Sequence, residues 1–429
     1  MSRFFLVSTS ILGKLGIAGI CLYPFVIVSN ESHKEDMRLV NHERIHLRQQ
    51  IELLILPFYI WYLIEYVIGR FTMSHDQAYR NIVFEREAYA RESDLDYLKK
   101  RSLWQFLNFY RDSSKHELFK EATSITQSFK TFPDKEIILD IKREDQLHPT
   151  VSGNKVRKLK YNLDHALNSG FEQIITFGGA YSNHIAATAA ACDILGLRSV
   201  GVIRGEELGA DLQKTLSNNI TLKTAVDNGM ELAFVTREEY KMKDQPSFIS
   251  HLLEKYGSSF IIPEGGTNEL AVKGSAEILS QQDQQNYEFI CVAAGTGGTA
   301  AGIIESSHSN QHVFVFSALK GDFLKNEIEK YTDRKNFTLF SEDTFGGYAK
   351  STDELINYMN ARFRESGIPL DPIYTGKMMY RIEQMIASGY FTDKTRILAI
   401  HTGGLQGIPG FNRRLKKKGR LPLQYEDHI

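Results

Sequence analysis

The sequence has little cysteine and no excess of charge of either sign. Its three cysteines, Cys21, Cys192 and Cys291, are odd in number and unclustered. That argues against a disulfide framework and a thiolate metal site, and makes a reducing compartment the default. Cys192 and Cys291 lie in small or apolar runs and read as packing residues. Lysine and arginine total 51 against 52 aspartate and glutamate, so no global field exists to draw in nucleic acid. Internal repeats and low-complexity tracts are lacking too, and Gln281 to Gln285 reads as a short, polar, exposed loop. What remains is a chain of 429 residues, long enough for two or three units with ample core to bury.

Apolar length is concentrated in the first hundred residues. Phe4 to Val28 is mostly apolar, interrupted by Lys14 and glycines, and is long enough to cross a bilayer or to lie along its surface. Tyr23-Pro24-Phe25-Val26 stays bulky where a secretory signal would offer small residues for cleavage. Ile51 to Ile68 contains Glu52, Pro57 and Glu65 and is rich in Tyr and Trp, which suits a membrane interface more than a clean span. Positive charges flank both stretches, so the loop-charge rule decides little about topology. The expectation is a small all-α, membrane-associated unit over residues 1–112.

Between these stretches His42-Glu43-Arg44-Ile45-His46 matches H-E-x-x-H. On a helix, histidines four apart share a face and can grip one Zn²⁺, while Glu43 could activate a metal-bound water. The downstream run Phe84-Glu85-Arg86-Glu87-Ala88 offers a third ligand, Glu85, with Glu87 in reserve. This arrangement resembles membrane zinc peptidases of the gluzincin type. It departs from them at Tyr89, where an acidic residue should stand, and that leaves the outer ligand partners in doubt. The alternative is a charged amphipathic helix whose histidines pack or face solvent.

From Lys99 to Gln127 the sequence is polar and helix-prone, weakest at Asp112-Ser113-Ser114-Lys115, so a second unit is expected over residues 113–429. Beyond that point short β-branched runs alternate with helical periods. Glu136 to Ile141, Glu172 to Phe177, Ser199 to Arg204, Glu231 to Val235, Phe260 to Pro263, Phe289 to Ala294, His312 to Ser317 and Arg396 to Ile400 read as strands. Val156 to Asn168 and Ile185 to Leu195 read as helices closed by glycine. The pattern is that of an α/β enzyme with mainly parallel sheets.

The cluster Gly295-Thr296-Gly297-Gly298-Thr299 follows an apolar strand and opens a small-residue helix. Such a turn aims backbone N–H groups and a helix N-terminus at one point, ready for a phosphate dianion. It also satisfies the dinucleotide pattern G-x-G-x-x-G/A, but the next strand ends Phe316-Ser317-Ala318-Leu319 without the acid a ribose needs, which argues against NAD. Lys155 begins a helix directly after Gly153-Asn154. Alone it reads as a charged helix start, since Arg157, Lys158 and Lys160 follow.

In order, Ser152-Gly153-Asn154-Lys155-Val156-Arg157-Lys158, Gly179-Ala180-Tyr181-Ser182-Asn183-His184, the glycine cluster and Ile373-Tyr374-Thr375-Gly376-Lys377 change that reading. Together they resemble the D-cysteine desulfhydrase and 1-aminocyclopropane-1-carboxylate deaminase family over roughly residues 120–415. The resemblance implies a fold type II, tryptophan synthase β-like unit of two parallel-sheet subdomains that uses pyridoxal 5'-phosphate, acts on a small amino acid, and forms a homodimer in the cytoplasm. Lys155 would be the Schiff-base lysine that also moves the Cα proton. Asn183 would hold the cofactor's phenolic oxygen, Ser182 the substrate, and Gly295, Thr296, Gly297, Gly298 and Thr299 the phosphate. Tyr348 and Tyr374 match the family's active-site tyrosines; each could instead be an ordinary buried aromatic.

Two positions bear on the reaction. Ring-opening deaminases carry glutamate immediately after the tyrosine matching Tyr374, to keep the pyridine nitrogen protonated; here it is Thr375. Thr402 stands where those deaminases tend to have an apolar residue. Both fit β-elimination from D-cysteine to pyruvate, sulfide and ammonia better than 1-aminocyclopropane-1-carboxylate deamination. Two other classes compete: a zinc metallopeptidase centred on the first unit, and a cofactor-fold binding protein without turnover.

Overall fold

Parallel strands buried on both faces require runs of apolar residues without alternation, and Phe289–Ala294 and Arg396–Ile400 satisfy that requirement. In the computed structural model the described residues are 4–428 apart from 15–17, 72–74, 76–77, 80–81, 93, 110–118, 120–122, 320, 322, 342–343 and 348–349. The chain divides into two compact units, one of residues 1–115 and one of the remainder, with His165–Phe171 grouped with the first.

In the first unit, strands β1 (Phe5–Ser8), β2 (Gly19–Leu22) and β3 (Phe25–Val28) form a sheet of order β1-β3-β2, parallel between β1 and β3 and antiparallel between β2 and β3. The expected all-α, membrane-like stretch is therefore corrected at Phe4 to Val28. β-Branched residues on a half-buried surface and a turn at Tyr23-Pro24 favour strands over a long helix, and Val26 and Val28 are buried while Phe5 and Phe25 are exposed.

Helices α1 (Met37–Glu52), α2 (Leu56–Arg70) and α3 (Val83–Arg91) follow. Asp36 starts α1 by accepting the N–H groups of Arg38 and Leu39. Among the described residues no single helix is long and apolar enough to cross a membrane, and α1 and α2 meet at a bend of 113°. The α2 helix leaves Ile60, Leu63, Ile64, Val67 and Ile68 exposed.

The second unit holds two sheets. The larger has the order β12-β11-β10-β13-β5-β4, built from β4 (Thr126–Phe132), β5 (Ile137–Lys142), β10 (Phe289–Ala294), β11 (His312–Ser317), β12 (Phe337–Phe340) and β13 (Arg396–Ile400). All its pairings are parallel except β4 with β5. The smaller, of order β8-β7-β6-β9, is wholly parallel and contains β6 (Gln173–Gly179), β7 (Arg198–Arg204), β8 (Met230–Val235) and β9 (Phe260–Ile262).

Strand β10 shows why the larger sheet must sit inside the unit. Cys291 and Ala293 pack on one face with Met378, Met379 and Ile382, while Ile290, Val292 and Ala294 pack on the other with Ile303 and Ile304. Cys192 and Cys291 are both buried and free, as packing residues should be.

Strands β4 and β12 are absent from the sequence reading because both are edges. Their side chains are mostly half-buried or exposed, so neither makes an apolar run. The expected loop Gln281 to Gln285 is instead a helix, Gln281–Asn286. Ser280 and Asp283 form a reciprocal capping box there, and the buried Asp283 carboxylate accepts a 2.6 Å bond from Lys142 of β5. Removing one partner of such a buried pair strands the other charge. Lys142→Met should therefore destabilise the second unit by about 3–5 kcal/mol, read as a lower urea midpoint, and Lys142→Met with Asp283→Asn should recover part of the loss.

Candidate active site

Ligands of open α/β sheets bind beyond the carboxyl ends of the strands, and the glycine turn, the Gly179–Asn183 segment and Thr402 follow such ends. Strand β10 ends in the glycine turn, which enters the helix Gly298–Ser306; β13 ends at Ile400, two residues before Thr402; β6 ends at Gly179 ahead of the helix Asn183–Leu195. Because β13 lies between β10 and β5, the glycine turn, Thr402 and the chain leaving β5 are neighbours.

Gly153 is the point of closest approach. Its φ is +65°, and a Cβ there would meet Thr402 O at 2.0 Å and Gly403 Cα at 2.7 Å. Only glycine lets the two backbones come this near, and Asn154 N–H then donates to Thr402 O at 3.1 Å. From that anchored turn Lys155 opens the helix Lys155–Asn168.

Asn154 ties the lysine to the glycine turn. Its Oδ1 accepts from Lys155 Nζ at 2.9 Å, and its Nδ2 donates to Thr299 Oγ1 at 2.8 Å. Burial of the amine pulls the Lys155 pKa down to about 8.

Lys158 was read from the sequence only as part of a charged helix start, yet it is fully buried. One turn after Lys155, and so on the same helix face, its ammonium donates to Gly265 O at 2.5 Å and Thr267 Oγ1 at 2.8 Å, and lies 3.5 Å from Thr296 Oγ1. Burial and the neighbouring Lys155 push its pKa well below that of an ordinary lysine. A Cβ at Gly298 would stand 3.4 Å from its Nζ. Its bonded partners are neutral oxygens, so its charged form is favoured most when an anion lies in the glycine turn.

Asp371 is the second residue the sequence reading missed. It is buried and accepts N–H bonds from Ile373 at 2.9 Å and from Tyr374 and Thr375 at 2.8 Å, which fixes the start of helix Thr375–Ala387. The aspartate just ahead of a helical period was the available signal. Tyr374 is thereby aimed at the glycine turn: its hydroxyl lies 3.2 Å from a Cβ built on Gly295. Thr375 is fully buried, and its Oγ1 has no hydrogen-bond partner among the described residues.

Asn183 begins its helix close to Gly404, its Nδ2 3.4 Å from a Cβ built there. Ser182 precedes it as the helix cap. Thr402 contributes its carbonyl to Asn154. Tyr348 lies outside the described residues. A cleft of ≈ 310 Å³ opens beside Tyr181, Asn183, Ile373 and Gly404, with Arg413 and Arg414 also in its lining.

These residues fit pyridoxal phosphate. The cradle of Gly295, Gly297 and Gly298 with the Lys158 ammonium suits a phosphate dianion, the desolvated Lys155 amine suits a carbonyl carbon, and the orphaned Thr375 hydroxyl needs a polar partner of the kind a pyridine nitrogen offers. The class this defines is an α/β enzyme that bears its cofactor on a lysine between two parallel-sheet subdomains.

The family model described as pyridoxal-phosphate dependent enzyme matches residues 128–403, and the chain belongs to that family. It is 32% identical over 292 residues to the mitochondrial bifunctional D-cysteine desulfhydrase/1-aminocyclopropane-1-carboxylate deaminase of Arabidopsis thaliana, a match covering 62% of this chain and 72% of that one. A crystal structure of an ACC deaminase homologue aligns with TM-score 0.55 and 27% identity over 69% of this chain and 96% of that one. The O-acetylserine dependent cystathionine beta-synthase of Helicobacter pylori shares the fold at TM-score 0.51 and 12% identity, over 70% of this chain and 97% of that one. The protein is a pyridoxal phosphate-dependent lyase or deaminase with the tryptophan synthase β-like fold.

In the first unit, outside the family match, His42, His46 and Glu85 come together as a buried group whose ligand atoms all lie within 4.8 Å of one another. Glu43 is buried on the same helix, α1. Glu87, the reserve ligand, is instead engaged by Arg101, Tyr97 and Gln49.

Two outcomes test the lysine site. Gly153→Ala should abolish cofactor retention, whereas Gly389→Ala, at φ +77° with nothing within 4 Å, should cost only about 1–2 kcal/mol and leave the cofactor's visible absorbance intact. In cofactor-free protein the rate of pyridoxal phosphate uptake should rise with pH through about 8 and level off above it, as the Lys155 amine loses its proton. An onset near the ordinary lysine value of ~10.4 would contradict the desolvated placement.

Proposed function

We propose that the second unit catalyses β-elimination on D-cysteine, giving pyruvate, sulfide and ammonia. The observation that carries this reading is Thr375, a buried, uncharged hydroxyl without a hydrogen-bond partner among the described residues. The deaminases that the sequence resembles place a glutamate there. A hydroxyl supports a protonated pyridine less than a carboxylate does, so the ring withdraws electrons less strongly. Weak withdrawal suffices when the substrate has an α-proton to lose and a thiolate to expel. It serves poorly when a carbon–carbon bond of a cyclopropane must open. Thr402, only 9% exposed, adds a second hydroxyl where those deaminases tend to be apolar. The Arabidopsis relative's name covers both activities, so the choice between them rests on these two positions. The D configuration follows from the resemblance alone.

Bound pyridoxal phosphate supplies an electron sink that acidifies the substrate Cα–H. The chain's own residues do the rest. Asn154 Oδ1 orients Lys155 Nζ, and a pKa of about 8 leaves enough neutral amine near pH ~7 for Nζ to take that proton. Lys158 and the glycine turn would hold the phosphate. Arg413 and Arg414 in the cleft lining offer positive charge to a carboxylate substrate. The Cα–H and Cβ–S bonds break as a carbon–carbon double bond forms, and water converts the released aminoacrylate to pyruvate and ammonia.

The test is a paired assay of the purified full chain, sulfide from D-cysteine against 2-oxobutanoate from 1-aminocyclopropane-1-carboxylate. Sulfide release should dominate, and Thr375→Glu should lower it by roughly tenfold or more, about 1.4 kcal/mol of barrier. Ring opening faster than sulfide release, or D-cysteine turnover unchanged in Thr375→Glu, would sink the proposal.

A further inference from the structure

The first unit carries a cluster whose hydrogen bonds leave it short of a positive charge. His42 Nδ1 lies 2.8 Å from Glu92 Oε2, and Glu92 is itself held by Arg38. An ionised carboxylate only accepts, so Nδ1 carries the proton.

The same holds for His46, whose Nδ1 lies 2.8 Å from Gln49 Oε1. The Gln49 amide cannot be turned round, because its Nε2 donates to Phe84 O at 3.2 Å and Glu87 Oε2 at 2.9 Å. With both Nδ1 atoms protonated, each neutral ring presents a bare lone pair at Nε2. These two Nε2 atoms face each other at 3.1 Å.

The third member is an acceptor as well. Glu85 Oε1 takes the Tyr62 hydroxyl at 2.7 Å and lies 3.2 Å from His46 Nε2. Its Oε2 is 3.4 Å from His42 Nε2 and has no hydrogen-bond partner among the described residues, although the side chain is only 3% exposed. Three buried acceptors thus converge on one point, which is costly unless a cation sits among them.

The spacing selects the cation. Zinc bonds of ~2.0–2.1 Å in a tetrahedron separate ligand atoms by about 3.3–3.4 Å. The two Nε2 atoms stand 3.1 Å apart, and Glu85 turns a different oxygen to each, Oε1 at 3.2 Å from His46 and Oε2 at 3.4 Å from His42. One carboxylate oxygen with both rings thus keeps all three ligand atoms within 4.8 Å of one another. Two imidazoles with one carboxylate are a borderline donor set of the kind zinc takes.

The sequence left the outer partner of these ligands in doubt because Tyr89 stands four positions after Glu85. The structure supplies that partner from Glu92, while the Tyr89 ring packs edge-on against His42 at 4.7 Å. Among the described residues the group has three protein ligands, which leaves one tetrahedral corner for water. Glu43 is not a member of that group. It lies against Gly19, where a Cβ would come within 3.0 Å of its Oε1.

We propose that His42, His46 and Glu85 bind one divalent ion of the zinc class, with Glu92 and Gln49 fixing the histidine tautomers, as a metal centre separate in chemistry from the lysine site. The test uses the full chain, stripped with chelator, reloaded with zinc and dialysed before metal analysis. One zinc per chain is expected, with a rise in thermal midpoint on loading. Glu85→Ala and His46→Ala should lose the ion. Glu43→Gln should keep it, and Glu92→Gln should weaken binding by about 10–100-fold. Unchanged visible absorbance of the lysine-bound cofactor checks that the second unit of each variant has folded, and an unchanged far-ultraviolet circular dichroism spectrum checks the helices of the first. Cobalt(II) in place of zinc should give the intense visible bands of a four-coordinate ion, a readout that does not depend on any variant. Zinc no higher in the parent chain than in His46→Ala, or cobalt spectra of the free aqueous ion, would show that protons alone hold the cluster and would overturn the proposal.

Discussion

One backbone contact sets the lysine site: Gly153 against Thr402 and Gly403. The two segments come from opposite ends of the second unit's sequence and meet because β5 and β13 are paired in register, Ile400 opposite Lys142. With no Cβ at 153, the Asn154 N–H reaches Thr402 O, and the direction in which Lys155 leaves the turn is then fixed. Asn154 passes the constraint on to Thr299, so the lysine and the glycine turn are held by a single side chain. A larger residue at 153 would have to move a strand end, and a parallel sheet buried on both faces has little room to give.

Around that contact the protein concentrates polar groups that it does not satisfy internally. Lys158 is buried on neutral oxygens, Lys155 is desolvated enough to lose its proton near pH 8, and Thr375 has an orphaned hydroxyl. Each is unfavourable for an isolated chain. Each becomes favourable when a phosphate, a carbonyl carbon and a ring nitrogen are supplied together by one molecule, so the fold is built to be completed by its cofactor. The buried acceptors at His42, His46 and Glu85 have the same logic with the opposite sign of charge.

Much of this was legible in the sequence because parallel strands announce themselves. Phe289–Ala294, His312–Ser317 and Arg396–Ile400 were bounded to the residue, since each is an unbroken apolar run buried on both faces. Edge strands such as Thr126–Phe132 were not, because one side stays wet and the period fades. Gln281–Asn286 looked like a loop from its composition, and only its capping box and the buried Asp283–Lys142 pair make it a helix. The first apolar stretch had the composition of a membrane segment and the local propensity of strands; pairing between β2 and β3 brought the strands out.

By itself, then, the sequence determined the alternation of strands and helices, the glycine turn after an apolar strand, and the ordered set of Lys155, Asn183, Gly295–Thr299 and Tyr374, because those depend on local spacing and residue type. Only the tertiary structure decided what surrounds them. That Lys158 is a buried amine rather than a solvated cation, that Asp371 pins the start of the Tyr374 helix, and that Glu92 rather than position 89 backs His42 are consequences of contacts between segments far apart in the chain. Burial and partnership are properties of the packed interior, and no local pattern of residues encodes which distant side chain will fill a given space.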